Sequence, residues 1–485
     1  MTATPPLPSA RERAVFCNRT LNLRAIGAIG YDMDYTLVHY RVAEWEAAAF
    51  EHARQLLARQ GWPVDGLRFD PAAMIQGLIV DTELGNLLKV NRFGYTVRGV
   101  HGARPLEFDE QRRLYGHVAV DHRQPRFAIL STLFSLSLAS LYAHAVGLFD
   151  QHRLPGVTSY ADLLHRVRCA VDDVHHQGAL KAEILAHTDR LIDPDPEISL
   201  ALLDQRDAGK KLLLITNSEW SYTRQIMGQA FDRHLPAGTG WRDLFDVVIV
   251  SARKPEFFTS QSPLFEVVDE EQGLLRPASG ALEQGRVYHG GNASLVENKL
   301  GLGGDQILFV GDHFFGDVHA TKSGLRWRTA LIVRELEQEI DAVAGFAPRQ
   351  AELTALMARK ESLEHRHCEL RLALQRAQSG RAKRTRSDLD RARREIGALR
   401  MQIEALDDQI GPLAKAAGEL SNPHWGLLMR AGTDKSYLAF LIERFADLYT
   451  ARVSNFALAT PFRYFRAARV PLPHDGAGDD GEPAS

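Results

Sequence analysis

Short, almost wholly apolar runs recur along this chain, and each stops at a cluster of polar residues. Ile26-Gly27-Ala28-Ile29-Gly30 runs into Tyr31-Asp32-Met33-Asp34-Tyr35-Thr36. Lys210-Lys211-Leu212-Leu213-Leu214-Ile215 ends in Thr216-Asn217-Ser218, and Val247-Val248-Ile249-Val250 ends in Ser251-Ala252-Arg253-Lys254-Pro255. Gln306-Ile307-Leu308-Phe309-Val310 ends in Gly311-Asp312-His313-Phe314-Phe315-Gly316-Asp317, and Ala330-Leu331-Ile332-Val333 is a further run. Runs this short and apolar, separated by helical segments, read as strands of a parallel sheet covered on both faces. They predict an α/β fold with ligands bound beyond the carboxyl ends of the strands. All four polar clusters fall at that end.

At 485 residues the chain is long enough for more than one domain. A formal net charge of −3 leaves no global reason to expect nucleic acid or an anionic membrane as a partner. Cys17, Cys169 and Cys368 lie far apart with no CxxC, which argues against a disulfide framework or a zinc site and fits a cytoplasmic setting. The Pro-rich residues 1–10 have no apolar core and do not read as a signal peptide. Residues 127–149 lack Asp, Glu, Lys and Arg, the mark of a membrane span, but carry Ser131, Thr132, Ser135, Ser137, Ser140 and His144. A helix or helix pair buried inside a globular domain is the expected reading.

The expected organisation is a tail over 1–20, a sheet-based core over 21–104 and 196–350, and a helical insertion over 105–195. Residues 44–61 read as a helix; 77–81 and 86–90 read as two strands about a turn. Leu389, Ala392, Ile396, Leu399, Ile403, Leu406 and Ile410 follow a 3-4 spacing, and Leu353, Leu356, Leu363 and Leu370 repeat it with gaps. Residues 351–411 are therefore expected as an antiparallel helical hairpin of coiled-coil type, with a basic tip at Arg381, Lys383, Arg384 and Arg386. That tip reads either as a solvated loop or as a contact for RNA or an acidic partner. Residues 412–474 should pack back on the core, and 475–485 should be disordered.

Taken as one site, the four clusters support phosphoryl chemistry. Two carboxylates crowded at a sheet end repel each other and call for a cation or a proton. Asp32 can act as a nucleophile and Asp34 as an acid/base. Thr216 offers a hydroxyl, the amides of Asn217 and Ser218 a cradle at a helix start, and Lys254 a fixed positive charge. Asp32, Asp312 and Asp317 can hold a hard divalent ion through oxygen, which suits Mg²⁺. A phosphoryl group in transfer needs this set of partners. Each part also has a plain structural reading: a turn aspartate, an N-cap, a surface lysine, loop carboxylates. Their succession at four strand ends is what favours the site.

In this order, DxDxT, a strand ending in Thr/Ser, a lysine and GDxxxxD resemble the haloacid dehalogenase superfamily of phosphatases. Asp32 to Leu37, Asp81 to Val90, Ala252-Arg253-Lys254-Pro255, Gly311-Asp312-His313 with Phe315-Gly316-Asp317, Tyr288 with Gly290-Gly291, Trp327-Arg328-Thr329 and Phe465 to Ala468 are similar to the cytosolic purine 5′-nucleotidases. The resemblance spans about 15–335 and 423–475. It implies a Rossmann-like core with a mainly helical cap at 105–195, and hydrolysis of IMP or GMP through an aspartyl-phosphate on Asp32. It further implies Mg²⁺ held by Asp32, the Asp34 carbonyl and Asp312 with Asp317 in support, and phosphate bound by Thr216, Asn217, Ser218 and Lys254. Phe134 would stack on the base, Arg168 and Asp172 would read it, and His175 and Lys181 would lie nearer sugar and phosphate. Family members also pass the phosphoryl group to other nucleosides and assemble as dimers and tetramers. Against the family pattern, Ser131 and Ser135 stand where asparagine is common, and His176 where tyrosine is usual. Two other readings share these residues: a phosphatase of the same fold acting on another small phosphate ester, and an interaction protein using the hairpin.

Overall fold

The computed structural model describes residues 13–469 except 177 and 384. The tail expected at 475–485, the first part of the one expected at 1–20, and Arg384 of the basic tip lie outside the described residues, as does the side chain of His176.

The largest sheet has ten strands. In chain order these are β1 (Phe16–Cys17), β2 (Ala28–Tyr31), β3 (Lys211–Ile215), β4 (Val247–Val250), β5 (Leu264–Asp269), β6 (Leu274–Pro277), β7 (Val287–Gly290), β8 (Ile307–Gly311), β9 (Arg328–Ile332) and β10 (Leu448–Thr450). Their spatial order is β1-β10-β9-β8-β2-β3-β4-β7-β5-β6. From β10 to β7 every pairing is parallel. The edge strands β1, β5 and β6 pair antiparallel. All residues of β2, β4 and β8 are buried, as central strands covered on both faces must be. Strand order reverses at β2, which has β3 on one side and β8 on the other. A crevice at its carboxyl end follows from that topology.

Two chain ends join this sheet. Residues 16–17, expected within a tail, form β1 against β10. The segment expected only to pack on the core contributes β10 itself, locked by the buried Asp447, which pairs with Lys322 at 2.7 Å and Arg328 at 3.1 Å.

Between β2 and β3 the chain makes α1 (Val42–Arg59), α2 (Leu136–Asp150), α3 (Tyr160–His176) and α4 (Gly178–Ala186). It also makes a second, antiparallel sheet in the order Arg104–Pro105, Thr96–His101, Asn86–Val90, Leu78–Asp81, Phe127–Leu130. Two of these strands are the pair read from the sequence at 77–81 and 86–90. The stretch expected as helical thus also carries strands at 104–105 and 127–130. Buried Lys89 ties this sheet to the C-terminal segment by donating to the carbonyls of Trp425, at 2.5 Å, and Leu427. The apolar window Leu133–Asp150 is long enough to cross a membrane by length and composition, yet 72% of it is buried inside the protein. There α2 packs against both α1 and α3, which also pack on each other.

After β3 comes α5 (Trp220–Phe231), and after β9 come α6 (Leu336–Gln378) and α7 (Arg386–Gly418). The last two form the antiparallel hairpin. It begins well before residue 351 and ends after 411, because α6 runs through Pro348 and α7 through Pro412. At 1.5 Å per residue α6 is about 65 Å long. Leu353, Leu406 and Ile410 form a buried cluster in its seam, with Leu356, Leu363, Leu413 and Ala417 packed against them, and Leu399 is buried further toward the tip.

Candidate active site

Four adjacent strand ends deliver the chemistry. Asp32 follows β2 and is fixed by its own amide, which donates to the Val310 carbonyl at 2.9 Å. Its Oδ1 accepts from the Met33 amide at 2.7 Å and lies 2.7 Å from Lys254 Nζ. Lys254, beyond β4, also reaches Asp317 Oδ1 at 2.8 Å. Asp312 and Asp317 follow β8, the second on a π-helical turn, Phe314–His319. The Asp317 Oδ2 accepts from the His313 amide at 3.1 Å. A Cβ at Gly311 would stand 2.3 Å from that same oxygen, so only glycine lets the carboxylate lie there. Tyr35, Ser251 and Arg253 sit in the left-handed region at φ 54°, 48° and 59°. Non-glycine residues held this way concentrate where side chains must be aimed.

The electrostatics are those of a cation site. Asp32, Asp312 and Asp317, all buried, offer oxygens within 4.8 Å of one another. One lysine cannot balance three carboxylates. Neither oxygen of Asp312 accepts a hydrogen bond from another described residue. Burial, then the charges of Asp32 and Asp317, push the Asp312 carboxyl well above its ordinary range. Burial also pushes the Asp32 carboxyl up, against the opposing pull of Lys254. Burial also works against the charge on Lys254, but Asp317 and Asp32 outweigh it and raise the ammonium. An all-oxygen, electron-rich, under-donated cluster fits a hard divalent ion such as Mg²⁺.

Asp34 faces the same space with both oxygens engaged. Tyr40 O–H donates to Oδ1 at 2.5 Å and Ser218 O–H to Oδ2 at 2.8 Å. Burial raises its carboxyl from the ordinary value, and the Tyr40 hydrogen bond works against that rise.

The residues expected to cradle phosphate are divided. Asn217 clamps the Lys254 loop: its Nδ2 donates to the Lys254 carbonyl at 3.1 Å, and its Oδ1 accepts from the Lys254 amide at 2.6 Å. Thr216 is wholly buried, and its Oγ1 accepts from the Ser218 amide at 3.1 Å. Thr216 thus supports the loop from behind, whereas Asn217 and Ser218 line the cavity with Lys254. The N-terminus of α5 starts just beyond and favours an anion there.

That cavity holds about 500 Å³ and reaches from the carboxylates to the insertion. Phe134, Arg168, Asp172, His175 and Lys181 all line it. Phe134 meets Tyr35 edge-on at 4.7 Å and His175 at 5.3 Å between ring centres. Trp45 lies parallel to His175 within 12°. Arg168 and Asp172 are exposed at the rim. Lys181 pairs with Glu219 at 2.7 Å and lies over the Tyr222 ring. Ser131, Thr132 and Ser135 add hydroxyls to the same wall.

Sequence reasoning did not single out Tyr40, Tyr222, Trp45, Glu219 or His313. Tyr40 carried one signal, since it lies six residues past Asp34. Tyr222 carried none, because its partner Tyr40 is 182 residues away.

Comparison with known proteins finds relatives of this chain. Residues 15–477 match the 5′ nucleotidase family. The human 5′-nucleotidase domain-containing protein 2 is 29% identical over 476 residues, 95% of this chain and 85% of that protein. The rat protein of the same name is 29% identical over 95% of this chain and 80% of its own length. Among solved structures, a haloacid dehalogenase-like family hydrolase from Xanthomonas campestris aligns over 67% of this chain and 95% of its own, at 12% identity and a TM-score of 0.24.

Proposed function

This chain belongs to the 5′ nucleotidase family, and from that premise we propose that it hydrolyses purine nucleoside 5′-monophosphates, IMP and GMP foremost, with Mg²⁺ at the carboxylates. The observation that carries the reading is one shared cavity. Its floor holds a nucleophile, an acid/base, a lysine and a cation cluster, and its roof holds an aromatic ring and rim-exposed Arg168 and Asp172.

Mg²⁺ bound by Asp32, the Asp34 carbonyl and Asp312, with Asp317 in support, would neutralise phosphate charge and polarise its oxygens. The chain's own residues supply the rest. Lys254, Asn217 and Ser218 hold the phosphate over Asp32. The Asp32 carboxylate attacks phosphorus, and the bond to the ribose oxygen breaks. That oxygen keeps the electron pair and takes the proton of Asp34. Asp34, now a carboxylate, takes a proton from water as it attacks the acyl phosphate, which releases phosphate and restores Asp32. A second nucleoside in place of that water would make the enzyme a phosphotransferase. Phe134 stacks on the base, Arg168 and Asp172 read its edge, and His175 and Lys181 approach the sugar and phosphate. The resemblance that supports this assignment also supports a homodimer or tetramer.

Phosphate release from IMP, GMP, AMP, CMP, UMP and simple sugar phosphates tests the proposal. The expected result is turnover of IMP and GMP at least tenfold above the pyrimidine nucleotides, lost with EDTA and restored by Mg²⁺. Turnover confined to sugar phosphates would overturn the base-reading roles of Phe134, Arg168 and Asp172. It would favour the second reading, a phosphatase for another small ester, since the core groups do not fix the leaving group.

A further inference from the structure

An acid/base residue must be aimed as well as charged, and the structure shows what aims Asp34. Its Oδ1 takes the Tyr40 proton at 2.5 Å, and Tyr40 Oη lies 2.9 Å from Tyr222 Oη. A phenol carries one proton. Tyr40 commits its proton to Asp34, so Tyr222 donates to Tyr40. The line Tyr222 to Tyr40 to Asp34 therefore has a direction. It joins the first turn of α5 to the short strand His39–Tyr40 that follows the Asp34 loop. Both rings are buried, Tyr40 at 2% and Tyr222 at 3% exposure, and Tyr222 also borders the cavity. The Tyr40 ring packs edge-on against Tyr35 and tilted against Trp45. Those contacts need no hydroxyl, so phenylalanine fills the same space. The hydroxyl's role is hydrogen bonding, and the Asp34 carboxyl is where it ends.

We propose that Tyr40 is a positioning residue for the general acid/base step, itself held by Tyr222. It rests on the assignment of Asp34 made above. Ser218 on one oxygen and Tyr40 on the other fix the plane of the carboxyl group. Each oxygen keeps a second lone-pair direction, and the fixed plane turns one of these toward the leaving group. In that step the phosphorus–oxygen bond of the ester breaks as the Asp32–phosphorus bond forms. The departing oxygen retains the electron pair and takes the Asp34 proton. Without Tyr40 the carboxyl rotates, and fewer encounters find it aligned.

Leaving-group chemistry separates this role from simple packing. A ribose alkoxide needs the proton, and the p-nitrophenolate of p-nitrophenyl phosphate does not. The parameter kcat/KM reports steps up to leaving-group departure. For Tyr40→Phe it should fall about tenfold with IMP, part of the 10²–10⁴ a placed acid contributes, and change less than about twofold with p-nitrophenyl phosphate. Tyr222→Phe should show a smaller loss in the same pattern, and adding it to Tyr40→Phe should cost nothing further. Equal losses with both substrates would mean a packing role and overturn the proposal, as would no loss with either. Should the parent enzyme turn over no nucleotide, the nucleotide reading fails on its own. The same comparison with glycerol phosphate in place of IMP then decides the role of Tyr40.

Discussion

At the scale of single residues, burial decides what a charge does, and Glu46 is the clearest case. It sits on the inner face of α1, where its Oε2 accepts from the Ser137 amide at 2.7 Å. Burial pushes this carboxyl from 4.5 up to about 8. The folded protein thus keeps a proton that the unfolded chain gives up. Its contribution to stability is whole below about pH 4.5 and is lost as pH rises to about 8. Glutamine keeps an acceptor for Ser137 and carries no charge. Glu46→Gln should therefore equal the parent in stability at acid pH and exceed it by a few kcal/mol above pH 8, since each tenfold change in proton affinity is worth about 1.4 kcal/mol. Urea unfolding of both proteins across that range checks this. A difference that does not grow with pH contradicts it. The carboxylate cluster was legible in the sequence, where Asp32 and Asp34 flank one methionine and Asp312 and Asp317 belong to one short segment; what burial does to the charge of Glu46 was not.

At the scale of elements, periodicity served well where one rule governs a run. The parallel strands are short, apolar and bounded by polar clusters, and the hairpin follows its leucines. Two strands of the second sheet were read, but Thr96–His101 and Arg104–Pro105 escaped because they are partly or fully exposed and bear Arg98, His101 and Arg104, with little alternation to read. Residues 336–350 escaped as helix because Pro348 ordinarily breaks one. The hairpin's seam is thin: of its repeat positions among the described residues, Leu353, Leu399, Leu406 and Ile410 are the buried ones. Leu406→Ala should cost about 2–4 kcal/mol there. Because α6 and α7 pack chiefly on each other, the loss should appear as faster hydrogen exchange in residues 353–417, with phosphate release unchanged. Slower turnover, or exchange spreading into β2 and β8, would show that the arm and the site are coupled.

At the scale of the whole molecule, one long insertion after β2 is folded back over the sheet, so that residues far apart in sequence face one cavity. Asp32 sits at its floor; Phe134 and Arg168 come from α2's approach and from α3. That closure was legible only through the family resemblance, because no local pattern tells where an insertion returns. It also explains why Lys181 and Glu219 meet across the mouth at 2.7 Å. The proposed role of Asp32 as the attacking nucleophile of this cavity is tested by acid-quenching the protein after brief exposure to IMP labelled in its phosphate. The expected result is acid-stable label on one peptide, at Asp32, and none in Asp32→Asn, which should also release no phosphate. Phosphate release with no labelled protein, or label at another residue, would contradict it.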